Sequence, residues 1–576
     1  MTKPFTFSMG GEAGYGIAST SLSFTRLAVR SGFSCYTYLE YPSLIRGGHN
    51  VFFTSFSKEK VSGPHKTINF LVALNQETID RHIDDLAKGG RVMYDSTQKL
   101  NLPTGKIIHY IDIPFLEIAR KLGAILLRDM VALGASLALL GGKLEILDGI
   151  IREEFARKGE SAIKINIEAA WAGFEYVKKN YRSLINPVLS PINSIVNKPK
   201  ARKMIVSGNE ATAFGALASG MQFAAIYPMT PTSNILHVLA PLQEEYDFIY
   251  KQPEDEISAI NMAIGASFAG ARSMVATSGG GFCLMTEGFG LAGMTETSLV
   301  VVEGMRGAPA TGLPTWTEQG DLRFVLHAHQ GEFPRIVLTP GDAEEAFHLT
   351  MKAFNLADKY QTPVVILIDK MICENIESFA PFKYDKFEIN QGKITYKTVE
   401  NYQRYALSKD GISKRAPVGT GSKVMANSDE HDTFGYSTEE IETRNAQMKK
   451  RMSKLKICAE NELIMPKLYG PKDADLTVVG WGSTKGPMLE VLRQLPKVNF
   501  LHFNWISPFP TESATKFLNK AKKLINVELN YSGQLGGLIT EMTGIKINDN
   551  ILKFDGRPFF TEELVDELTK RLYAEH

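Results

Sequence analysis

The sequence predicts a succession of α/β domains. Three observations predict it: apolar runs of strand length alternate with helical periodicity, Gly-rich turns follow several of those runs, and 576 residues exceed what one core can hold. A chain of this length divides into about three to five domains. Residues 5–9 read as a strand, Gly10-Gly-Glu-Ala-Gly-Tyr-Gly16 as a turn, and the run to Ala28 as a helix. Strand, Gly-rich loop and helix start in that order form a nucleotide-type opening, which makes Gly11, Gly14 and Gly16 candidate binding positions. No acidic residue stands about 20 residues later to take a ribose, which argues against a dinucleotide site. Further strands are expected at Asn69–Ala73, Gly90–Tyr94 and Lys106–Tyr110, with a closing helix at Ile163–Asn180, giving a first domain over residues 1–185.

Residues 186–201 carry Pro187, Pro191 and Pro199 and no sustained period, so they read as a linker. A second α/β domain follows over residues 202–374. It has a helix at Gly208–Gly220, strands at Ala224–Tyr227, Ser273–Thr277 and Leu299–Glu303, and the buried parallel strand Pro363–Asp369. Residues 375–473 loosen into a polar connecting region with Gly411, Gly419 and Gly421, ending in a basic helix near Arg444–Lys456. The stretches Leu476–Thr484, Val498–Phe503 and Lys523–Glu528 alternate with helices and make a third α/β domain over residues 474–576.

Composition excludes several function classes. Lys and Arg number 64 against 63 Asp and Glu, a net charge of +1, so no nucleic-acid footprint is expected. The four cysteines are scattered and none forms a Cys-x-x-Cys pair, so no metal or iron-sulfur ligand set is expected on this chain. The start lacks a signal-peptide core, and the most apolar stretch, near Ile125–Gly142, is interrupted by Arg128 and Asp129. A soluble, cytoplasmic protein with no membrane partner is expected.

Chemistry concentrates in the second domain. Tyr227-Pro-Met-Thr-Pro-Thr-Ser233 leaves a strand on a proline-stiffened backbone and offers hydroxyls at a helix start. Glu256 follows in an acidic triplet with Glu254 and Asp255. The small residues Ala259, Ala263, Gly265 and Ala266 then make a helix face that allows close approach. Ser278-Gly-Gly-Gly281 offers unhindered backbone, and Arg306 starts the loop Arg306-Gly-Ala-Pro-Ala-Thr-Gly-Leu-Pro-Thr315, well placed for a carboxylate. His431 beside Asp429 and Glu430 reads as a polar loop, because one His with adjacent acids seldom makes a metal site.

These strings resemble the 2-oxoacid:ferredoxin oxidoreductases. Tyr227–Ser233 is similar to that family's Tyr-Pro-Ile-Thr-Pro-Ser-Ser motif, with Met229 and Thr232 as departures. Arg306–Gly312 resembles its Arg-Gly-Gly-Pro-Ser-Thr-Gly motif, with Ala308 and Ala310 replacing Gly and Ser. Glu40–Asn50, containing Arg46, resembles the family's gamma module, although Leu44 stands where an acid is common. His329–Arg335, Arg404-Tyr with Asp410–Arg415, Gln319–Asp321 and Val527–Asn530 look like further signatures. The resemblance implies a gamma-module α/β domain, then a thiamine diphosphate pyrimidine-binding α/β domain, then a transketolase C-terminal-like α/β domain.

It also implies an alpha subunit with the gamma module fused in front. Glu256 falls on the cofactor-activating position. A carboxylate bonded to the pyrimidine N1′ favours the imino tautomer, whose 4′-nitrogen can take the thiazolium C2 proton. Thr230 and Arg306 are the implied contacts to the substrate carboxylate, while Tyr227, Pro228, Ser278 and Gly279 border the cofactor. Gly11, Gly14, Gly16 and Arg46 are the implied coenzyme A contacts. No Gly-Asp-Gly run followed by Asn-Asn is present, so magnesium, the cofactor's diphosphate and an iron-sulfur cluster are expected on a beta subunit. The expected partners are that beta subunit and ferredoxin, with coenzyme A and a 2-oxoacid, most simply 2-oxoglutarate, as substrates, in a dimer of alpha-beta heterodimers. Alternatives are a broad-range or pyruvate-type enzyme, or a non-catalytic coenzyme A-binding scaffold.

Overall fold

The computed structural model describes residues 3–44, 47–104, 107–189 and 203–573. The chain forms two compact units: Met1–Val206 with Asn375–Phe382 and Phe560–Glu562, and Ser207–Glu374 with Lys383–Phe559 and Glu563–His576. Most of the expected linker, residues 190–201, lies outside the described residues.

The first unit is built on an eight-stranded sheet. In spatial order its strands are His109–Ile113, Leu86–Asp95, Ile68–Ala73, Phe5–Glu12, His49–Ser57, Ser34–Glu40, Ile376–Phe379 and Met204–Ser207. The strand Ile376–Phe379 falls where the sequence reads as a loosened connection. It joins this sheet through the Cα pair Glu377 and Tyr36, while the Ser378 hydroxyl accepts from the Cys35 N–H at 2.9 Å.

Two glycines set a close helix crossing in this unit. A Cβ on Gly134, in the helix Arg128–Leu139, would stand 1.9 Å from the Ala170 carbonyl oxygen. One on Gly173, in the helix Glu160–Asn180, would stand 2.0 Å from that of Val131. Each glycine admits the other helix's backbone, so a methyl at either site must push the main chains of both helices apart rather than displace a side chain. Gly134→Ala should therefore destabilise the protein by about 1–3 kcal/mol, the cost of overpacking, despite the roughly 1 kcal/mol Ala gains in helix propensity. Thermal melts of wild type and variant measure it, and an unchanged midpoint would refute the crossing.

The second unit holds two sheets. The larger has seven strands in the order Trp505–Ser507, Ile336–Leu338, Pro363–Asp369, Leu299–Met305, Ser273–Ser278, Phe223–Ala225 and Ile249–Lys251. All its pairs are parallel except that of the edge strand Trp505–Ser507. The smaller runs Lys467–Tyr469, Val498–Phe503, Leu476–Trp481, Leu524–Glu528 and Asp549–Leu552. A single apolar core containing Val275, Val301 and Val365 continues to Trp481, Leu501 and Leu535, so the two sheets share their interior. The basic helix spans Ile441–Glu462.

Candidate active site

Parallel strands place their loops at one end of a sheet, and three adjacent strands here end in the three expected motifs. Phe223–Ala225 leads to the Tyr227–Ser233 turn, Ser273–Ser278 to Gly279, and Leu299–Met305 to Arg306. This is where open α/β sheets bind ligands.

The acidic triplet divides its labour. Asp255 caps the helix Glu256–Phe268 by accepting from the Ser258 N–H at 2.8 Å, and the exposed Glu254 accepts from the Ser258 hydroxyl at 2.8 Å. Glu256 alone turns inward, 3% exposed. Its Oε1 lies 2.7 Å from where a Cβ on Gly281 would stand, and the Thr277 hydroxyl lies 2.0 Å from the same point. A glycine at 281 therefore leaves a notch at the first turn of the helix Gly279–Met294, which the Thr277 hydroxyl and the Glu256 carboxylate fill. Glu256 Oε1 and Ser278 Oγ are buried with no hydrogen-bond partner. A buried acceptor left unpaired is costly, so the Glu256 Oε1 suits a ligand that brings its own donor. A pyrimidine nitrogen held in its protonated form meets that demand, and a Cβ on the neighbouring Gly280 would project into open space.

Arg306 and Thr230 do come together, through the backbone. The Arg306 Nη1 donates to the Thr230 carbonyl at 2.8 Å, which fixes one end of the guanidinium and leaves other N–H groups unassigned by that bond. Burial lowers the Arg306 pKa, and the neighbouring Glu303 opposes the shift. The turn is held from below: Asn209 Nδ2 donates to the Pro231 carbonyl at 2.8 Å, and Thr232, not Thr230, is buried. A Cβ on Gly304 would meet Thr232 Cγ2 at 2.5 Å, so the strand must be bare there for the turn to settle on it. Thr230-Pro231 and Ala308-Pro309 are cis. Tyr227 is half-buried and Pro228 exposed on the same turn.

Glu303, which no motif singled out, joins Asp321 of the Gln319–Asp321 signature beside the site. Glu303, fully buried on Leu299–Met305, faces the Asp321 carboxyl and takes no hydrogen bond from an N–H or hydroxyl among the described residues. Burial, then Asp321, push its carboxyl well above the ordinary range. Asp321 is raised to about 6 by burial, and its Oδ2 lies 2.6 Å from where a Cβ on Gly279 would stand. A lone acid inside the apolar run Leu299–Met305 is the sequence signal that could have found Glu303.

Gln319 has a different task. Its N–H donates to the Leu529 carbonyl at 2.6 Å, its side-chain oxygen accepts from the Leu529 N–H at 3.0 Å, and its amide donates to the Trp481 carbonyl at 2.9 Å. It thus clamps the site loop to the smaller sheet. Arg404 and Arg415 are internal pins as well: Arg404 donates to the Glu296 carbonyl at 2.6 Å, and Arg415 pairs with Asp358 at 2.7 Å. The His431 ring packs on Tyr405 with centroids 4.0 Å apart, and its Nδ1 lies 3.0 Å from the Asp429 carbonyl oxygen.

In the first unit, Gly16 caps the helix Ile17–Arg30 in the left-handed region, at φ 71°, and Gly14 has φ 95°. A side chain at 16 would be strained and would also meet Asp129 Oδ2 at 2.8 Å. The Arg128 guanidinium lies 3.4 Å over the Tyr15 ring, and burial raises Asp129 to about 7. Gly11 packs on Leu74 and Tyr15. Arg46 lies outside the described residues.

Comparison with known proteins shows the family. Residues 214–450 match the family described as pyruvate flavodoxin/ferredoxin oxidoreductase, thiamine diphosphate-binding, and residues 6–176 match pyruvate ferredoxin/flavodoxin oxidoreductase. The chain is 33% identical to the 2-oxoacid:ferredoxin oxidoreductase subunit alpha of Saccharolobus solfataricus, covering 97% of this chain and 96% of that one. It is 30% identical to the 2-oxoglutarate oxidoreductase subunit KorA of Mycobacterium tuberculosis, over 96% of this chain and 89% of that one. A solved 2-oxoglutarate:ferredoxin oxidoreductase from Magnetococcus marinus, bound to 2-oxoglutarate, coenzyme A and succinyl-CoA, superposes with a TM-score of 0.90. It is 30% identical over 99% of this chain and 100% of that one. With its inward-facing Glu256, its Arg306 loop and matches running almost end to end, the chain belongs to the alpha subunits of the 2-oxoacid:ferredoxin oxidoreductases.

Proposed function

We propose that this chain is the alpha subunit, with the gamma module fused in front, of an enzyme that oxidatively decarboxylates 2-oxoglutarate to an acyl-coenzyme A, or runs the reverse carboxylation. The buried, unpartnered Glu256 Oε1 at the Gly281 notch carries this reading. Thiamine diphosphate, when bound, supplies the nucleophilic carbon that adds to the 2-oxo group and the electron sink for loss of carbon dioxide. Glu256 holds the proton at the pyrimidine nitrogen. The adjoining Gly279 and Ser278, with Tyr227 and Pro228 across the strand ends, border the ring. Arg306 grips the 2-oxoacid carboxylate with the N–H groups that Thr230 does not occupy, and the half-buried Thr230 hydroxyl is the second contact.

The remaining parts follow from the same family. A beta subunit would hold the diphosphate, magnesium and an iron-sulfur cluster, and the two electrons of each turnover would leave singly, to two equivalents of ferredoxin. The first unit contacts coenzyme A through the Gly11–Gly16 turn. The assembly is a dimer of alpha-beta heterodimers in the cytoplasm.

The solved 2-oxoglutarate enzyme favours 2-oxoglutarate as substrate, and the name of the Saccharolobus relative keeps a broader 2-oxoacid range as the second reading. The two separate in one measurement. Ferredoxin reduction by the enzyme co-purified with its beta subunit should be at least about tenfold faster per KM with 2-oxoglutarate than with pyruvate, the discrimination expected from pairing a second carboxylate. Equal values would favour the broad-range reading, and activity with pyruvate alone would exclude 2-oxoglutarate.

A further inference from the structure

We propose that Asn209 is a positioning residue for Arg306: by fixing the Pro231 carbonyl it fixes the Thr230 carbonyl, and so the direction in which the guanidinium meets the substrate carboxylate. The inference rests on the reading of Arg306 given above. Two hydrogen bonds fall on consecutive carbonyls of the Tyr227–Ser233 turn. Arg306 Nη1 donates to that of Thr230 and Asn209 Nδ2 to that of Pro231, both at 2.8 Å. One residue, the buried Pro231, joins the two peptide planes. Its ring locks φ, so only its ψ can turn one plane against the other, and the Asn209 bond holds that rotation.

Asn209 is a firm support. It is wholly buried on the helix Gly208–Ala218, whose start is closed by a capping box: the Glu210 N–H donates to Ser207 Oγ at 3.2 Å, and the Ser207 N–H to the Glu210 carboxylate at 2.7 Å. A Cβ on Gly208 would stand 2.4 Å from the Ile372 carbonyl oxygen, so this helix start bears directly on another backbone. The turn also rests on the strand that carries Arg306. A Cβ on Gly304, two residues before Arg306, would stand 2.5 Å from Thr232 Cγ2 and 3.0 Å from Pro231 Cγ. Asn209 Oδ1 is buried with no hydrogen-bond partner, a cost to the fold, so what the amide contributes is its donor. Without that donor the Pro231 carbonyl can swing, the Thr230 carbonyl follows, and Arg306 loses the acceptor that aims it. Capture of the 2-oxoacid suffers, while the chemistry that Glu256 serves from a different helix does not.

The test is the KM for 2-oxoglutarate, measured on the assembled enzyme. Asn209→Ala should raise it about tenfold, the weight of one hydrogen bond to a charged group, while kcat holds. A wild-type KM in this variant, or a loss confined to kcat, overturns the proposal. Thr212→Val is the control: three residues later on the same helix it removes a buried hydroxyl that has no partner, and both constants should stay unchanged. The double variant shows whether Asn209 acts through Arg306. If it does, Asn209→Ala adds little to the KM of Arg306→Gln; a full further rise overturns the inference and leaves Arg306 its role. If Arg306→Gln alone keeps the wild-type KM, Arg306 does not hold the substrate and the inference falls with that reading. Asn209→Asp keeps the shape and serves if the Ala variant fails to fold. A buried protonated carboxyl donates to Pro231 as the amide does, and an ionised one cannot. Its KM should match wild type in acid and climb above it as pH rises, and a match at every pH overturns the proposal.

Discussion

Replacing Glu256 with Gln is expected to lower kcat by on the order of 10³-fold, the usual weight of a positioned acid or base, while the ligand-free chain becomes no less stable. The two halves of this expectation have one cause. Glu256 Oε1 is buried at the Gly281 notch without a donor, so the unliganded fold bears the cost of an isolated acceptor. A carboxamide has the same shape, keeps an oxygen for the notch, and removes the buried charge. It cannot hold the proton that the pyrimidine nitrogen must carry. Activity should therefore collapse while the melting temperature stays level or rises, the pattern of a residue kept for function at the expense of stability. The neighbours supply the control. Glu254, exposed and bonded to the Ser258 hydroxyl, should tolerate the same change with little loss of rate. Steady-state ferredoxin reduction and thermal melts of both variants decide it. A Glu256→Gln enzyme with near-normal kcat would falsify the assignment.

The same residue shows how far the sequence reaches. Glu256 was legible because a helix start, a small-residue face and two flanking motifs converge on it within one stretch of chain. What the sequence did not separate was its two acidic neighbours, whose distinct tasks depend on which carboxylate turns inward. Arg404 and Arg415 were legible as signatures but not as pins, because their partners Glu296 and Asp358 lie far along the chain. Gln319 and Asp321 are two residues apart and do unrelated things, one clamping the smaller sheet and the other facing Glu303. Spacing cannot express that difference. The short strand Ile376–Phe379 pairs with a strand more than 300 residues earlier, and four residues give no period from which to read such a partner.

Removal of the Glu296 carboxylate is expected to destabilise the second unit by about 3–5 kcal/mol, the cost of leaving a buried charge uncompensated, and so by more than the glycine substitution at the helix crossing costs the first. Glu296 follows the helix Gly279–Met294 in the left-handed region, at φ 49°, a conformation that glycine would adopt more easily. Its carboxylate is fully buried between two lysines of the basic helix Ile441–Glu462, with Lys450 Nζ at 2.7 Å and Lys454 Nζ at 2.5 Å. Those lysines are 2% and 1% exposed at the side chain. Lys450 also donates to the Tyr405 carbonyl at 3.1 Å and Lys454 to that of Gln361 at 2.9 Å, so the ammonium groups are hydrogen-bonded but owe their charge balance to Glu296.

The pH dependence follows in sign. Burial raises the Glu296 pKa, but Lys454, Lys450 and Arg404 together outweigh it and hold the carboxyl far below its ordinary 4.5. A depressed folded-state pKa gives stability that is complete above 4.5 and drains as pH falls below it. Wild type should therefore lose this contribution in acid, and Glu296→Gln, which has none to lose, should show a shallower acid limb. The alkaline side runs the other way for the variant. Lys450, already lowered to about 8 chiefly by burial, loses its anion and sheds its proton more readily. The unfolded chain then binds more protons than the folded one, so the variant should regain stability as pH rises through that range. Adding Lys454→Met to Glu296→Gln removes one of the two stranded charges and should recover some of the loss, whereas Lys454→Met alone should destabilise. Urea denaturation of the four proteins across pH completes the cycle. Additive losses would mean that the carboxylate and the lysine do not act on one another, and that the left-handed turn at Glu296 is held by something other than this ion pair.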